Sequence, residues 1–160
     1  MAVVSKIRVK SKNLFDKDNA DKRKWYLNNG TPASSTAFNS IIIPCESSTE
    51  YTAQKFVSTT SPFGVAFYDS YPEVSSVSTN YSRAGSIDKI TLKSTANSKY
   101  MVCEYLYDTS GDETTIQSLL NSLVISKGIG VEDYVPYYIE INKINNTNIS
   151  KITFNGVEYE

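Results

Sequence analysis

Tyrosine is the residue type in this sequence best suited to binding a ligand. The 160-residue chain contains 12 tyrosines, 6 phenylalanines and 1 tryptophan. A tyrosine ring combines a flat apolar face with a hydroxyl group, and such surfaces bind sugars and peptides. Aromatic residues that border polar loops are the best candidates, and we predict four ligand-binding residues: Trp25, Tyr71, Tyr107 and Asp108. The alternative for each ring is that it packs the core or covers a sheet edge.

The sequence argues against enzymatic chemistry. It contains no histidine, which excludes Ser-His-Asp triads, Cys-His dyads and His-ligated zinc. Its seven glycines form neither a GxxxxGK nor a GxGxxG motif. The acid pairs Asp112-Glu113 and Glu132-Asp133 are adjacent residues, whereas glycoside hydrolysis needs two carboxylates that face each other. We therefore predict that the protein is not an enzyme.

No cofactor is predicted. The run of residues 108–113, DTSGDE, resembles part of an EF-hand ligand loop, so a Ca²⁺ site at Asp108 and Asp112 is the alternative. The remaining EF-hand spacing is missing, which disfavours that site. Cys45 and Cys103 each lie in an apolar run and lack CxxC spacing. Free, buried thiols are favoured over a disulfide between them.

Charge and hydropathy restrict the partners. The chain has 16 basic and 17 acidic residues, a net charge of −1, so no overall field favours nucleic acid or an anionic membrane. Basic residues concentrate between positions 6 and 24, but Asp16, Asp18 and Asp21 interrupt them, which favours a solvated surface over a binding patch. No apolar run has the length of a membrane span, and residues 1–6 lack a signal-peptide pattern. We predict a protein made in a cytoplasm, without membrane insertion.

The dominant periodicity of two predicts strands. Apolar and polar residues alternate over residues 6–10, 49–56 and 87–92, and the continuous apolar run at 64–68 predicts a strand buried on both faces. Turn signals such as Asn28-Asn29-Gly30 separate these segments. Many short strands at this spacing predict an all-β fold, an antiparallel sandwich or barrel.

One short helix and one division of the chain are predicted. Residues 114–123 place Ile116, Leu119, Leu120 and Leu123 on one helical stripe. We assign residues 1–141 to a β-sandwich domain and residues 142–160 to a C-terminal hairpin or linker extension. Asn155-Gly156 predicts a two-residue hairpin turn there. The extension either adds an edge to a partner or leads into a further part of a longer protein.

A series of short motifs in a fixed order resembles a known family. The series comprises NLFD at 13–16, Ile43-Pro44 before TEYT at 49–52, AFYD at 66–69, YMV at 100–102, and residues 123–137, which open with LVISKG and end with DYVPY. It is similar to the β-sandwich module of tail-fibre, baseplate and receptor-binding proteins from phages of Gram-positive bacteria, over residues 6 to about 139. Two family features differ, because Lys127-Gly128 replaces a Glu-Gly pair and Val102 stands at an arginine position.

The resemblance implies a fold, a setting and partners. It implies a jelly-roll sandwich like that of carbohydrate-binding modules, in a phage tail made in the host cytoplasm and acting outside the cell in host attachment. The implied partners are a bacterial cell-surface or wall glycan, other virion tail proteins, and further copies of the chain, with a homotrimer favoured. The alternative is a structural spacer or assembly domain of a tail or head fibre with no ligand of its own. The motif residues themselves look structural: Leu14 and Phe15 would seat the first strand, Pro44 would break the chain before a strand, and Tyr134 and Tyr137 would pin the chain exit.

Overall fold

The prediction of an all-β protein with antiparallel sheets is confirmed. The computed structural model describes residues 5–21, 25–56, 63–84, 88–106, 120–130, 137–143, 152–154 and 157–159. Its elements are β1 Ser5–Lys10, the 3-10 helix η1 Lys17–Asn19, β2 Trp25–Asn28, β3 Thr31–Ser34, β4 Phe38–Pro44, β5 Glu50–Lys55, β6 Phe63–Tyr68, β7 Asn80–Ala84, β8 Lys89–Lys93, β9 Tyr100–Leu106, β10 Leu123–Lys127, β11 Tyr138–Lys143, β12 Ile152–Phe154 and β13 Val157–Tyr159. Within these ranges, no helix is long and apolar enough to cross a membrane.

Two antiparallel sheets pack face to face around the main core. One sheet has the strand order β4-β9-β6-β7 and the other β10-β5-β8. Because side chains alternate along a strand, every second residue of each strand points into the core between the sheets. The buried core residues are Phe15, Ile41, Ile43, Tyr51, Ala53, Phe63, Val65, Phe67, Ile90, Met101, Cys103, Tyr105, Leu120, Leu123 and Ile125.

Strand β6 is buried at all six positions, as its continuous apolar run predicts. It lies between β9 and β7, and its two faces pack in different clusters. Val65 faces the main core, whereas Ala66 and Tyr68 join a second cluster with Leu27. That second cluster lies under the β2–β3 hairpin, because Leu27 belongs to β2. The hairpin therefore forms a cover over the outer face of the four-stranded sheet.

The side chain of Asn13 pairs with the outer edge of β10. Its Oδ1 accepts the Ile125 N–H at 3.0 Å and the Phe15 N–H at 2.9 Å, while its Nδ2 donates to the Leu123 carbonyl at 3.2 Å. The Leu14 N–H adds a bond to the Ile125 carbonyl at 2.7 Å. Unpaired strand edges invite association with other chains, and here an amide side chain occupies that edge.

The structure shows where the residues with predicted structural roles lie. Strand β1 ends at Lys10, so Leu14 and Phe15 pack beside β10 and do not belong to the first strand. Pro44 ends β4. The Tyr137 carbonyl accepts the Ser11 N–H at 2.9 Å and so fastens the exit of the chain near its start, while Tyr134 lies outside the described residues.

The predicted helix at 114–123 is wrong at its C-terminal end. Leu120 is helical, but Asn121 and Ser122 form a turn and Leu123 begins strand β10. Residues 114–119 lie outside the described part of the chain. Leu123 is held in a strand because it pairs with Lys55 of β5 and its carbonyl accepts the Asn13 amide. Tertiary pairing thus overrides the helical spacing of the leucines.

The C-terminal residues form the predicted hairpin, with Phe154 of β12 paired to Val157 of β13. The division at residue 142 stays a prediction. Strand β11 continues to Lys143 and pairs with β1 along its whole length, with Ser5 opposite Lys143. Cys45 and Cys103 are free thiols, the first half-buried and the second fully buried.

Replacing Asn13 by alanine tests whether the edge pairing holds the fold together. Asn13→Ala leaves the Ile125 N–H and the Leu123 carbonyl buried without partners, and each costs about 1–3 kcal/mol. We expect the free energy of unfolding in urea to fall by about 2–4 kcal/mol. The control Asn121→Ala removes an exposed asparagine that accepts a bond from Lys17, and should stay within about 0.5 kcal/mol of wild type. Equal losses for the two variants would contradict the assigned role.

Candidate functional site

Three loops meet at one end of the sandwich. They are the β4–β5 loop (residues 45–49), the β6–β7 loop (residues 69–79) and the β8–β9 loop (residues 94–99). Backbone hydrogen bonds join them. The Lys99 N–H donates to the Tyr68 carbonyl at 2.8 Å, and the Cys45 N–H donates to the Lys99 carbonyl at 2.8 Å. The β8–β9 loop is therefore fastened to the β4–β5 loop and to the end of β6.

Buried serine hydroxyls brace the same loops. The Ser94 hydroxyl donates to the Glu46 carbonyl at 2.6 Å and accepts the Thr49 N–H at 2.9 Å. Ser98 Oγ accepts the Thr95 N–H at 2.9 Å and lies 3.1 Å from Thr79 Oγ1 of the β6–β7 loop. Because these bonds fix the loop backbones, little ordering remains to be done when a ligand binds.

A cleft of about 410 Å³ opens between the three loops. We call it the end cleft, and its lining residues are Ser47, Asp69, Ala96, Asn97, Ser98 and Lys99. The lining offers hydroxyl, carboxylate, amide and ammonium groups, so it can both donate and accept hydrogen bonds. Its volume falls in the range of small-molecule binding pockets.

A pair of tyrosines in contact with each other lies close in the chain to the end-cleft lining. Tyr71 is 58% exposed, and its ring packs edge to face against Tyr100, with ring centroids 5.4 Å apart and an interplanar angle of 78°. Tyr71 lies two residues after Asp69 in the same loop, and Tyr100 directly follows Lys99, so both tyrosines are close in the chain to residues that line the cleft. The contact with Tyr100 orients the Tyr71 ring while more than half of its surface stays open to a ligand.

The predicted binding residues do not all meet at this cleft. Trp25 begins β2 at the base of the hairpin, while the opposite end, the Asn29-Gly30 turn, lies beside Tyr68. The side chain of Trp25, and Tyr107 and Asp108 as a whole, lie outside the described residues. The same holds for Asp112 and hence for the alternative Ca²⁺ loop. Among the side chains that the structure does describe, no group of three or more acids or cysteines is placed to hold a metal ion.

Sequence reasoning missed Asn97, Ser98, Lys99 and Tyr100. The run Ser-Thr-Ala-Asn-Ser-Lys at 94–99 is a polar segment of the kind that forms turns, and it precedes a strand. That signal was sufficient to place a loop there. It was not sufficient to place the loop beside Tyr71, because the contact depends on the pairing of β6 with β9, which sets Tyr68 opposite Tyr100.

A second chemically notable group, the carboxylate of Glu104, is sealed inside the protein. Its Oε2 accepts the Leu27 N–H at 2.6 Å, and Arg83 Nε lies 3.3 Å from its Oε1. Burial raises the pKa of Glu104 to about 7, while the Leu27 bond and the Arg83 charge act in the opposite direction. Gly64 lies across the strand pair from Glu104, and a Cβ there would come within 2.8 Å of Oε1. The glycine therefore provides the space that the carboxylate fills.

Glu104 fastens the β2–β3 hairpin to the four-stranded sheet. The hairpin turns at Asn29 and Gly30, which have φ angles of +52° and +82°, as the Asn-Asn-Gly signal predicts. Leu27 pairs with Pro32, which has no N–H, and the Leu27 N–H is used for the bond to Glu104. At the turn, the Tyr68 hydroxyl donates to the Gly30 carbonyl at 2.7 Å. With no exposed surface, Glu104 serves the hairpin and does not contact the end cleft.

Comparison of the chain with protein-family models, with curated proteins and with solved structures gave no match.

The buried carboxylate predicts an unusual pH dependence of stability. The unfolded chain loses the Glu104 proton near pH 4.5, whereas the folded protein keeps it until about pH 7. Folding therefore binds a proton in this window, and the contribution of Glu104 is greatest below pH 4.5 and is lost as the pH rises to 7. The loss amounts to about 3 kcal/mol, at about 1.4 kcal/mol per pH unit.

Urea unfolding at several pH values measures this effect against Glu104→Gln. Glutamine keeps an acceptor for the Leu27 N–H but does not titrate, so the difference in stability between variant and wild type should grow in favour of the variant from pH 4.5 to 7. Glu50→Gln, at an exposed position, should leave the wild-type pH dependence unchanged. A constant difference between Glu104→Gln and wild type across the window would sink the assignment.

Proposed function

We propose that this chain is a non-enzymatic domain of a phage tail or fibre that binds carbohydrate on the surface of its bacterial host. The observation that carries the proposal is the end cleft, which is lined by acid, amide and hydroxyl side chains and has the exposed Tyr71 two residues after the lining residue Asp69. In this proposal the two packed sheets form a jelly roll of the carbohydrate-binding type, and the loops at one end supply the binding surface.

The cleft has the chemistry that a saccharide requires. One face of a pyranose ring is lined by C–H groups and packs on an aromatic ring, while its hydroxyls need donors and acceptors. Tyr71 supplies the ring, Asp69 accepts hydrogen bonds, and Asn97 both donates and accepts. The mixture of groups suits a neutral polyhydroxylated ligand better than an apolar one.

The phage setting is supported by the order of motifs and not by the comparisons. Two of those motifs lie at structural joints: Asn13 of NLFD pairs with β10, and Gly128 accepts the Thr52 hydroxyl at 2.5 Å just after β10 ends. A sequence pattern formed by such structural residues supports the type of domain. It does not indicate the ligand, which the loops would bind.

Multivalency would raise the affinity of the assembled particle. A single open cleft with one exposed ring offers few contacts, and each contact must offset the loss of freedom on binding. Several copies joined in one fibre convert later binding events into intramolecular ones, which multiplies the affinity. A homotrimer, with other tail proteins holding it in the virion, fits this requirement.

Substitution of Tyr71 tests the binding surface. Tyr71→Ala removes the stacking ring and should weaken binding to purified cell-wall glycan of the host about tenfold, equivalent to about 1.4 kcal/mol. The control Val77→Ala changes another exposed apolar residue in the same loop and should leave the Kd within about twofold. Calorimetry on glycan fragments and sedimentation with whole cells provide the two readouts.

A companion variant separates the two predicted aromatic positions. Trp25→Ala, at the base of the hairpin, should bind like wild type if the end cleft is the site. Unchanged binding in Tyr71→Ala and in the Trp25→Ala, Tyr71→Ala double variant would reject the aromatic assignment. Failure of the wild-type protein to bind any host glycan or cell, together with assembly through residues 142–160, would favour the spacer domain instead.

A further inference from the structure

A second recess lies beside the outer edge of β10. It has a volume of about 310 Å³, and we call it the edge recess. Its lining residues are Ser11, Lys12, Leu14, Ser126, Lys127 and Gly130. One wall is therefore the segment that carries Asn13 along β10, and the other is the end of β10 with the turn that follows it. The volume is at the lower end of the range for small-molecule pockets.

Ser126 contributes a buried hydroxyl group to the wall of the edge recess. Ser126 is only 3% exposed, and its Oγ makes no hydrogen bond to the described residues. Burying a hydroxyl without a partner costs about 1–3 kcal/mol, and native proteins pair nearly all such groups. An alanine would avoid that cost at this position. The Oγ has almost no accessible surface of its own, so it donates to a molecule in the recess only after rotation about the Cα–Cβ bond.

The strand register adds a backbone donor on the same side. The Ile125 N–H points away from β5, because it donates to Asn13 Oδ1, and the Gly128 N–H points toward β5, because it donates to the Glu50 carbonyl. Along an antiparallel pair, the N–H groups of successive residues in one strand point alternately toward and away from the partner strand. The Lys127 N–H therefore points away from β5, to the edge along which the recess lies.

The charge of the recess is positive. Lys12 is exposed, and within the described part of the chain no carboxylate lies within ion-pair distance of its ammonium group. The Lys127 ammonium is already paired with Glu46, so Lys127 offers its backbone and its aliphatic stem. The lining residues include no aspartate or glutamate. Among the described residues, Lys12 is thus a cation of the recess lining without a counter-charge.

We propose that the edge recess binds a small oxyanion, a carboxylate or a phosphate group, through the Lys12 ammonium, the Ser126 hydroxyl and the Lys127 N–H. These three groups are all donors, and an oxyanion supplies only acceptors, so the donor and acceptor patterns match. The recess is distinct from the end cleft, and the proposal does not depend on carbohydrate binding there.

Anion titrations of the ¹⁵N-labelled full chain test this site. Sodium acetate and sodium phosphate are added in separate series at an ionic strength held constant with sodium chloride. We expect saturable shifts of the Ser126 and Lys127 amide signals with at least one anion, and the anion that saturates first identifies the ligand class. Lys12→Gln should weaken binding at least fivefold, whereas Lys93→Gln, at an exposed lysine on β8, should change it less than twofold.

The variant Ser126→Ala distinguishes a serine that binds the anion from a serine that only stabilises the fold. Without ligand, its Tm should equal or exceed that of wild type, because an unpartnered buried hydroxyl is removed, while the anion-induced shifts are lost. A lower Tm in the ligand-free variant would show that the hydroxyl already has a partner and would overturn the proposal. Shifts that rise linearly without saturation with both anions, or that are equal in Lys12→Gln and Lys93→Gln, would overturn it as well.

Discussion

The fold depends on hydrogen-bond partners for the outer edges of its sheets, and at β10 the Asn13 side chain provides them. Two separate antiparallel sheets have four outer edges, and each unpaired edge exposes a row of backbone donors and acceptors. At β10 the amide of Asn13 takes the place of a neighbouring strand. At β4 the backbone of Asp21 exchanges two hydrogen bonds with Ser40, and at β8 the Asn80 amide donates to the Lys93 carbonyl. Short polar substitutes for strands thus complete the sandwich.

A polar side chain bonded to the backbone also holds the β2–β3 hairpin over the outer face of the four-stranded sheet. Glu104 occupies the space above Gly64 and accepts the Leu27 N–H, so a titratable carboxyl group is used where a backbone carbonyl would serve in a continuous sheet. Burial of a carboxylate opposes its ionisation, and the guanidinium of Arg83 offsets only part of that penalty. The hairpin is therefore attached by an interaction whose strength depends on protonation, whereas the Asn13 attachment does not titrate.

The sequence predicts a strand correctly where the segment itself shows alternating or continuous apolar residues. Strands β5 and β6 show alternation or a continuous apolar run, and both form where expected. Strand β7, Asn-Tyr-Ser-Arg-Ala, has little apolar content and is defined by its pairing with β6, so it gives no local signal. The leucines before β10 follow helical spacing, but Leu123 is drawn into a strand by β5 and Asn13. Long-range pairing, which no local window contains, decides these cases.

The same distinction applies to the candidate sites. Tyr71 was recognisable because an exposed aromatic residue in a polar loop is a local feature. The lining of the end cleft and the donors of the edge recess were not, since each set comes from segments far apart in the sequence. Asn13 illustrates the limit most clearly, because the NLFD motif is visible in the sequence but its partners lie more than a hundred residues away.

The end cleft and the edge recess share the β4–β5 loop as a neighbour, which raises the question of whether they are coupled. Ser47 of that loop lines the cleft, and Glu46 holds the Lys127 ammonium beside the recess. Both partners of this ion pair are largely exposed, so solvent screens their attraction and the pair is weak. Coupling through the pair cannot exceed its own strength, so a ligand in one site would change the affinity of the other only slightly. The Glu46 N–H also donates to the Tyr51 hydroxyl at 2.8 Å, and this bond holds the loop in place independently of either ligand. Under the two proposals, the end cleft and the edge recess should therefore bind their ligands almost independently, with the sheets between them serving as a common support.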